Sequence, residues 1–194
     1  MDKLKDLAIL ILMGGQNKRM KGQHKAFLNI NNTSFLQTII SNIGQLAPIY
    51  ISVNDASIVK DISYPVLEDV YNNIGPIGGI YSSLNRIPYK YVFVVGCDMP
   101  FISADIVQYL YNHIDAETDC TILSDNKGRL FPTAGIYSTS LIPKIEAQIL
   151  SQNYRLYTLM ENANIINIET TPLNLKNLIN INTPEEYQAI LKIQ

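Results

Sequence analysis

Tryptophan is absent from this 194-residue chain, cysteine and histidine occur twice each, and charged residues make up only 16%. Each shortage removes a class of chemistry. Cys97 and Cys120 stand in neither a C-x-x-C pair nor a Cys/His cluster, which argues against a disulfide framework or structural zinc. Two reduced core thiols in a cytoplasmic protein are expected instead. His24 and His113 have no second ligand at metal spacing and no carboxylate orienter for a general base, so neither carries a function on sequence grounds. Fifteen Lys and Arg are offset by seventeen Asp and Glu, with no block of like charges, so no nucleic-acid or anionic-membrane partner is expected. The twelve tyrosines are scattered rather than grouped into a base-stacking platform. The apolar run Leu7 to Met13 is far shorter than the roughly twenty residues that span a bilayer. Asp2 and Asp6 spoil its positive flank as a signal peptide, and no small-residue cleavage site follows. A small ligand is the expected partner.

What the chain does contain is alternation of strand and helix signals. Leu7 to Met13 is continuously apolar, as in a strand covered on both faces, and Gly14-Gly15 ends it. Phe35, Leu36, Ile39, Ile40 and Ile43 recur at helical spacing between a Ser34 cap and a Gly44 stop. Strands are predicted at Ile49 to Val53, Pro65 to Leu67 and Tyr91 to Val95, with a loop over Asn72 to Gly79 and a helix over Ile80 to Ile87. Beyond them come a helix capped by Ser103 and strands at Thr121 to Leu123 and Thr133 to Tyr137. Helices at Leu141 to Ile149 and Leu156 to Met160 follow, then an extended Ile165 to Ile168. Thr183-Pro184-Glu185-Glu186 reads as the capped opening of a helix ending at Leu191. This is an α/β pattern, a single Rossmann-like three-layer α/β/α domain with a mostly parallel sheet, whose ligand site lies beyond the carboxyl ends of the strands. The polar segments Gly14 to Lys25, Asn54-Asp55, Glu68 to Gly79 and Gly96 to Pro100 each follow a predicted strand and should therefore converge on one rim.

Gly14 to Lys25 has the composition of a phosphate-cradling loop: glycines for close backbone approach, with Arg19 and Lys25 as cations. It lacks Gly-Lys-Ser/Thr and G-x-G-x-x-G, and an ordinary solvated turn explains it as well. Asp98, directly after a buried strand, could hold Mg²⁺ against phosphate oxygens or simply cap the following turn; Asp69 adds a second carboxylate at another strand end. Asn54 has the donor and acceptor needed to read a nucleobase edge, and equally the chemistry of a turn.

Taken together, these segments resemble the MobA-like nucleotidyltransferase family over nearly the whole chain. Leu12-Met13-Gly14-Gly15, Arg19-Met20, Gly22 and Lys25 are similar to its L-x-G-G-x-x-x-R-M-x-G-x-x-K loop. Glu68-Asp69 with Gly75-Pro76-Ile77-Gly78-Gly79, Cys97-Asp98-Met99-Pro100, and Asn180-Ile181-Asn182-Thr183-Pro184-Glu185 are similar to its remaining motifs, in the same order. The resemblance implies transfer of GMP from GTP to the terminal phosphate of molybdopterin, the organic part of the molybdenum cofactor, with pyrophosphate leaving. It also implies hand-over to other cofactor-biosynthesis proteins or acceptor apoenzymes. One domain over residues 1–194 is expected, with a nucleotide-binding half to about residue 100 and an acceptor-binding half after it.

By the same resemblance Leu12, Met13, Gly14, Gly15, Lys25, Asn54, Asp69, Gly79 and Asp98 contact the nucleotide, and Asp98 is the magnesium ligand. Arg19, Lys25 and Asp98 serve catalysis, Arg19 at the leaving pyrophosphate. Pro132, Arg155, Asn180 and Asn182 fall on the acceptor side, where Asn180 and Asn182 could instead only shape the turn before the final helix. Lys21 and His24 depart from the family pattern and would add positive charge, or alter specificity. Cytidylyl transfer to the same acceptor, nucleotidyl transfer to a sugar or alcohol phosphate, and a non-catalytic nucleotide-binding module remain open.

Overall fold

In the computed structural model, which describes residues 4–14, 24–59 and 62–192, strand β1 (Leu7–Leu12) is buried on both sides along its whole length. Alternate residues of a strand point to opposite faces, and here each set feeds a different core. Leu7, Ile9 and Ile11 pack with Leu36, Ile39 and Ile43, while Ala8, Leu10 and Leu12 pack with Ile77, Ile80 and Leu84. A continuous apolar run is thus the signature of a central strand between two helical layers.

The chain continues through a small hairpin, β2 (Asn29–Ile30) and β3 (Thr33–Ser34), turned by Asn31 and Asn32, both at positive φ. Helix α1 (Phe35–Ile43) follows at once, capped by the Ser34 hydroxyl and the reciprocal Gln37 side chain. Then come β4 (Ile49–Val53), β5 (Val66–Glu68), α2 (Pro76–Leu84), β6 (Tyr91–Gly96) and α3 (Ala104–Asn112). The remainder is β7 (Cys120–Ser124), β8 (Leu130–Ser138), α4 (Ile142–Leu150), β9 (Ala163–Asn167) and α5 (Pro184–Leu191). The main sheet has seven strands in the order β5-β4-β1-β6-β8-β7-β9. Four pairings are parallel, and β8 alone runs against both its neighbours. Helices α1 and α3 cover one face and α2 and α4 the other, which is the expected three-layer α/β/α arrangement.

Several elements differ from the sequence expectation. Helix α2 begins at Pro76, not Ile80: Gly75 takes φ 80° and Pro76 supplies the pre-set first turn. The weak helix propensity of Gly78 and Gly79 hid that turn. Leu156–Asn162 winds as a 3₁₀ helix, and Ile168 lies in a 3₁₀ turn beyond β9. Ser103 sits at the N-cap of α3, yet its hydroxyl makes no cap bond.

Helix α5, capped by Thr183 and Glu186, crosses back over the beginning of the chain. The Tyr187 hydroxyl donates to the Asn29 carbonyl at 2.7 Å, its ring meets Phe35 edge-on at 5.9 Å, and Ile181 packs with Leu28, Ile30 and Phe35. Residues 180–187 therefore lie against the nucleotide-side half of the sequence, not only the acceptor side. Phe35 is fully buried at this junction, so Phe35→Ala should cost about 3 kcal/mol or more by cavity formation. Urea denaturation followed by far-UV circular dichroism measures it, and a loss under 1 kcal/mol would show that the junction is loosely packed.

Candidate functional site

Because β1, β4, β5 and β6 are mutually parallel, their carboxyl ends reach one rim, where all four polar segments border a cavity of about 440 Å³. Met13 and Gly14 follow β1, Asn54 follows β4, Asp69 follows β5 and Cys97-Asp98 follow β6. The reversed β8 presents its beginning to the same rim through Thr133, and Asn180 closes the side.

One wall is built around Asp69, which is almost fully buried. Ser52, wholly buried on β4, donates its hydroxyl to Asp69 Oδ1 at 2.7 Å. Burial pushes the Asp69 carboxyl up to about 6, against the pull of the Ser52 hydroxyl and the more distant Arg86 charge. Gly79 is required beside this pair, since a β-carbon there would stand 2.5 Å from Ser52 Oγ and 3.0 Å from Leu12 Cδ2. A β-carbon on Gly14 would likewise come within 3.1 Å of Asn54 Oδ1. The turn after β4 is held by Asp55, whose carboxylate accepts from Ser57 N–H at 2.8 Å. Asn54 is not needed for it, and its amide borders the cavity.

The opposite wall carries the charge. Lys25 Nζ donates to Asn182 Oδ1 at 2.8 Å and to Asp98 Oδ2 at 3.3 Å, with both charged side chains largely shielded from solvent. Asp98 also accepts Ile181 N–H on its backbone carbonyl, which fastens the segment before α5 to the end of β6. Its carboxylate does not cap the next turn: Met99 N–H bonds to the Gly96 carbonyl instead. Gly96 leaves room for Asp98 Oδ1, which lies 2.6 Å from where a β-carbon would stand. No group of three or more His, Cys, Asp or Glu positioned to hold a metal occurs among the described residues. Soft or multidentate metal binding therefore does not suit the site. A lone hard carboxylate does suit Mg²⁺, which keeps waters and shares phosphate oxygens with one or two protein ligands. Cys97 borders the same space, but burial and the neighbouring Asp98 push its thiol up to about 12, so it supplies no thiolate at neutral pH.

The sequence profile of the MobA-like NTP transferase domain matches residues 9–166, which include most of the sheet and every residue lining this cavity except Asn180. The chain belongs to the MobA-like NTP transferase family. It is 34% identical over 190 residues to a protein of Clostridium perfringens named "Probable molybdenum cofactor guanylyltransferase", covering 94% of each chain. A protein of the same name from Carboxydothermus hydrogenoformans is 30% identical over 195 residues, covering 98% of each. Among solved structures, molybdopterin-guanine dinucleotide biosynthesis protein A of Archaeoglobus fulgidus superposes with a TM-score of 0.84 at 20% identity, covering 96% of this chain and 97% of that one. The 2-C-methyl-D-erythritol 4-phosphate cytidylyltransferase of Thermus thermophilus gives 0.69 at 14% identity over 99% and 98%. That shared fold is common to family members and more distant nucleotidyltransferases.

Within this MobA-like site, Leu12, Met13, Gly14, Lys25, Asn54, Asp69, Gly79, Asp98 and Asn180 border one space, and Asn182 joins it through Lys25. Gly15 and Arg19, like Lys21 and Gly22, lie outside the described residues. Asn180 Oδ1 is buried with no hydrogen-bond partner among the described residues, and the turn before α5 is instead held by Glu186, which accepts from Asn182 N–H and Thr183 N–H. Pro132 contributes its carbonyl to the Tyr137 hydroxyl and does not line the cavity. Arg155 is exposed outside it, with its backbone carbonyl held by Gln148 Nε2. Ser52 and Thr133 line the cavity without being among the expected site residues, and His24, expected in this loop only as added charge or a change of specificity, lines it too. A serine inside an otherwise apolar strand was the available signal for the first. The added charge expected of His24 is not realised, because burial lowers its pKa and leaves it neutral at pH 7.

Asp69 holds its proton to a higher pH folded than unfolded, so its burial costs stability as pH rises from about 4 through about 6. Asp69→Asn keeps an acceptor for Ser52 and removes the buried charge. It should therefore raise stability at pH 8 by up to about 3 kcal/mol, with the gain vanishing below about pH 4, while weakening nucleotide binding. Thermal melts across pH measure this; a gain independent of pH would remove Asp69 as its source.

Proposed function

We propose that this protein transfers GMP from GTP to the terminal phosphate of molybdopterin and releases pyrophosphate. The observation that carries the reading is Lys25 Nζ held between Asp98 and Asn182 at the rim where Gly14, Asn54 and Asp69 meet. The relatives named for guanylyl transfer to the molybdenum cofactor, matched over almost the full chain, support it. The attacking phosphate oxygen forms a bond to the α-phosphorus as the bond to pyrophosphate breaks. Two anions must approach each other, so the protein's contribution is positioning and charge neutralisation.

Lys25 offsets charge on the triphosphate, and Asp98 is the residue that would hold Mg²⁺. Bound there, the metal neutralises phosphate charge and orients the triphosphate. An ionised Asp69 is an acceptor and the Asn54 amide both donates and accepts, a set that suits the adjacent N–H groups of guanine. Close backbone approach at Gly14 and Gly79 admits the nucleoside between these walls. On the acceptor side, Asn180 brings to the cavity a buried oxygen with no partner among the described residues, and exposed Arg155 is available to an anion. Two free, buried cysteines suit a cytoplasmic setting, and none of the described helices is long and apolar enough to cross a membrane.

Pyrophosphate release measured with GTP, CTP, ATP and UTP in turn, with Mg²⁺ and with or without molybdopterin, tests base and acceptor together. Acceptor-dependent release with GTP alone is expected. Release with CTP moves the chain to cytidylyl transfer, and tight GTP binding without release makes it a binding module. Asp98→Ala should abolish turnover in a folded protein, and Lys25→Ala should lower kcat/KM by about 2 kcal/mol, roughly thirtyfold. Wild-type rates in either variant would remove that residue from the mechanism.

A further inference from the structure

Lys25 opens a 3₁₀ turn only three residues long, Lys25–Phe27. Such a turn has little stability of its own, yet it must hold a flexible lysine stem so that Nζ meets Asp98 and Asn182. The residue before it is equipped for this. His24 occupies the N-cap position, where its Nδ1 accepts from Ala26 N–H at 3.3 Å, and its Nε2 lies 2.8 Å from the Met13 carbonyl oxygen. An acceptor at Nδ1 and a donor at Nε2 define one neutral tautomer of imidazole. The ring thus spans from the end of the central strand to the turn that carries Lys25. Met13 is itself fixed, donating its N–H to the Ser52 carbonyl at 2.8 Å. Ala26 is fully buried and the Phe27 ring packs 5.5 Å from the imidazole.

We propose that His24 is a positioning residue for Lys25, a neutral imidazole strut between the Met13 carbonyl and the Ala26 amide that sets the ammonium against the phosphate site. The part of this that concerns phosphate rests on the function proposed above. Protonation at Nδ1 removes the acceptor for Ala26 N–H and sets two donors face to face. Among the described residues, the ionisable groups around the ring are Lys25 on the same turn, Cys97 and Asp98 at the end of β6 and Asp69 after β5, all bordering the same cavity, and Tyr187 from α5, which shares the outer groove with Phe27, Leu28 and Asn29. Burial opposes protonation and the Met13 contact favours it, with burial the larger effect. The strut is therefore intact at pH 7 and is lost only as pH falls through a point below the ordinary imidazole value.

The test has two arms on the full chain. Two-bond ¹⁵N–¹H correlation of the imidazoles, with His113 as the internal comparison, should show His24 as the Nε2–H tautomer, titrating below 6.5. The Nδ1–H tautomer, or half-titration at or above 6.5, overturns the proposal. In the second arm His24→Ala removes both bonds, whereas His24→Asn retains an acceptor for Ala26 N–H but is too short for Met13. At pH 7.5, His24→Ala should weaken GTP binding in Mg²⁺ and lower kcat, each about tenfold, with His24→Asn between it and wild type. At saturating GTP, which suppresses the contribution of Asp69 to KM, wild-type kcat should fall below pH 6.5 and His24→Asn should lose that limb. A merely structural histidine would lower Tm without moving the kcat profile. Unchanged affinity and kcat in folded His24→Ala overturn the proposal. If wild type transfers no GMP, the proposed function fails while the imidazole spectra and the GTP dissociation constants still decide the strut.

Discussion

Burial of β1 on both faces is the constraint from which the rest of the architecture follows. Six residues with no exposed side cannot tolerate a polar substitution on either face, so the chain must supply a helical layer above and another below. It does so by running β4 and β6 parallel on either side of β1, which forces every connection back across the sheet. Parallel neighbours end on the same rim. The free backbone groups and polar loops at that rim are the by-product of filling the core, and the cavity forms where they meet.

Two carboxylates at that rim have opposite environments. Asp98 faces an ammonium, stays partly accessible and has one oxygen near the unfilled space beside Gly96. Asp69 has a neutral hydroxyl for its close partner and lies deep in the wall, where burial dominates its ionisation. The first arrangement sets a carboxylate oxygen at the cavity within reach of a cation. The second keeps a carboxylate poised near neutrality, which suits recognition of N–H donors that offset its charge when they bind.

Much of this was legible in the residues. The unbroken run of β1, the Ser34 cap and the Thr183-Pro184-Glu185-Glu186 opening of α5 each specify their structure locally, and each formed as expected. The convergence of four loops followed from the parallel sheet alone. The direction of β8 did not, since alternation of side chains is the same whichever way a strand runs. Helix α2 starts at Pro76, ahead of its apolar pattern, because Gly78 and Gly79 are present for close approach to Tyr71, Ser52 and Leu12, so packing overrides propensity. Ser52 leaves no local pattern, because its hydroxyl acts through Asp69, seventeen positions further along the chain. Arg155 shows the converse, a residue conspicuous by charge that stands outside the cavity.

The return of residues 180–187 onto the beginning of the chain has a consequence for synthesis. Strands β1, β4, β5 and β6 are complete by Gly96, yet the ammonium of Lys25 donates its shorter bond to Asn182, 157 positions later, and Asp98 is fastened through Ile181. Closing so long a loop is entropically slow relative to pairing neighbouring strands. A nascent chain can thus pair β1, β4, β5 and β6 while Lys25 has Asp98 for a partner but not yet Asn182. The second anchor of the Lys25 ammonium therefore arrives only with the segment before α5, which also brings the Ile181 cover of Leu28, Ile30 and Phe35.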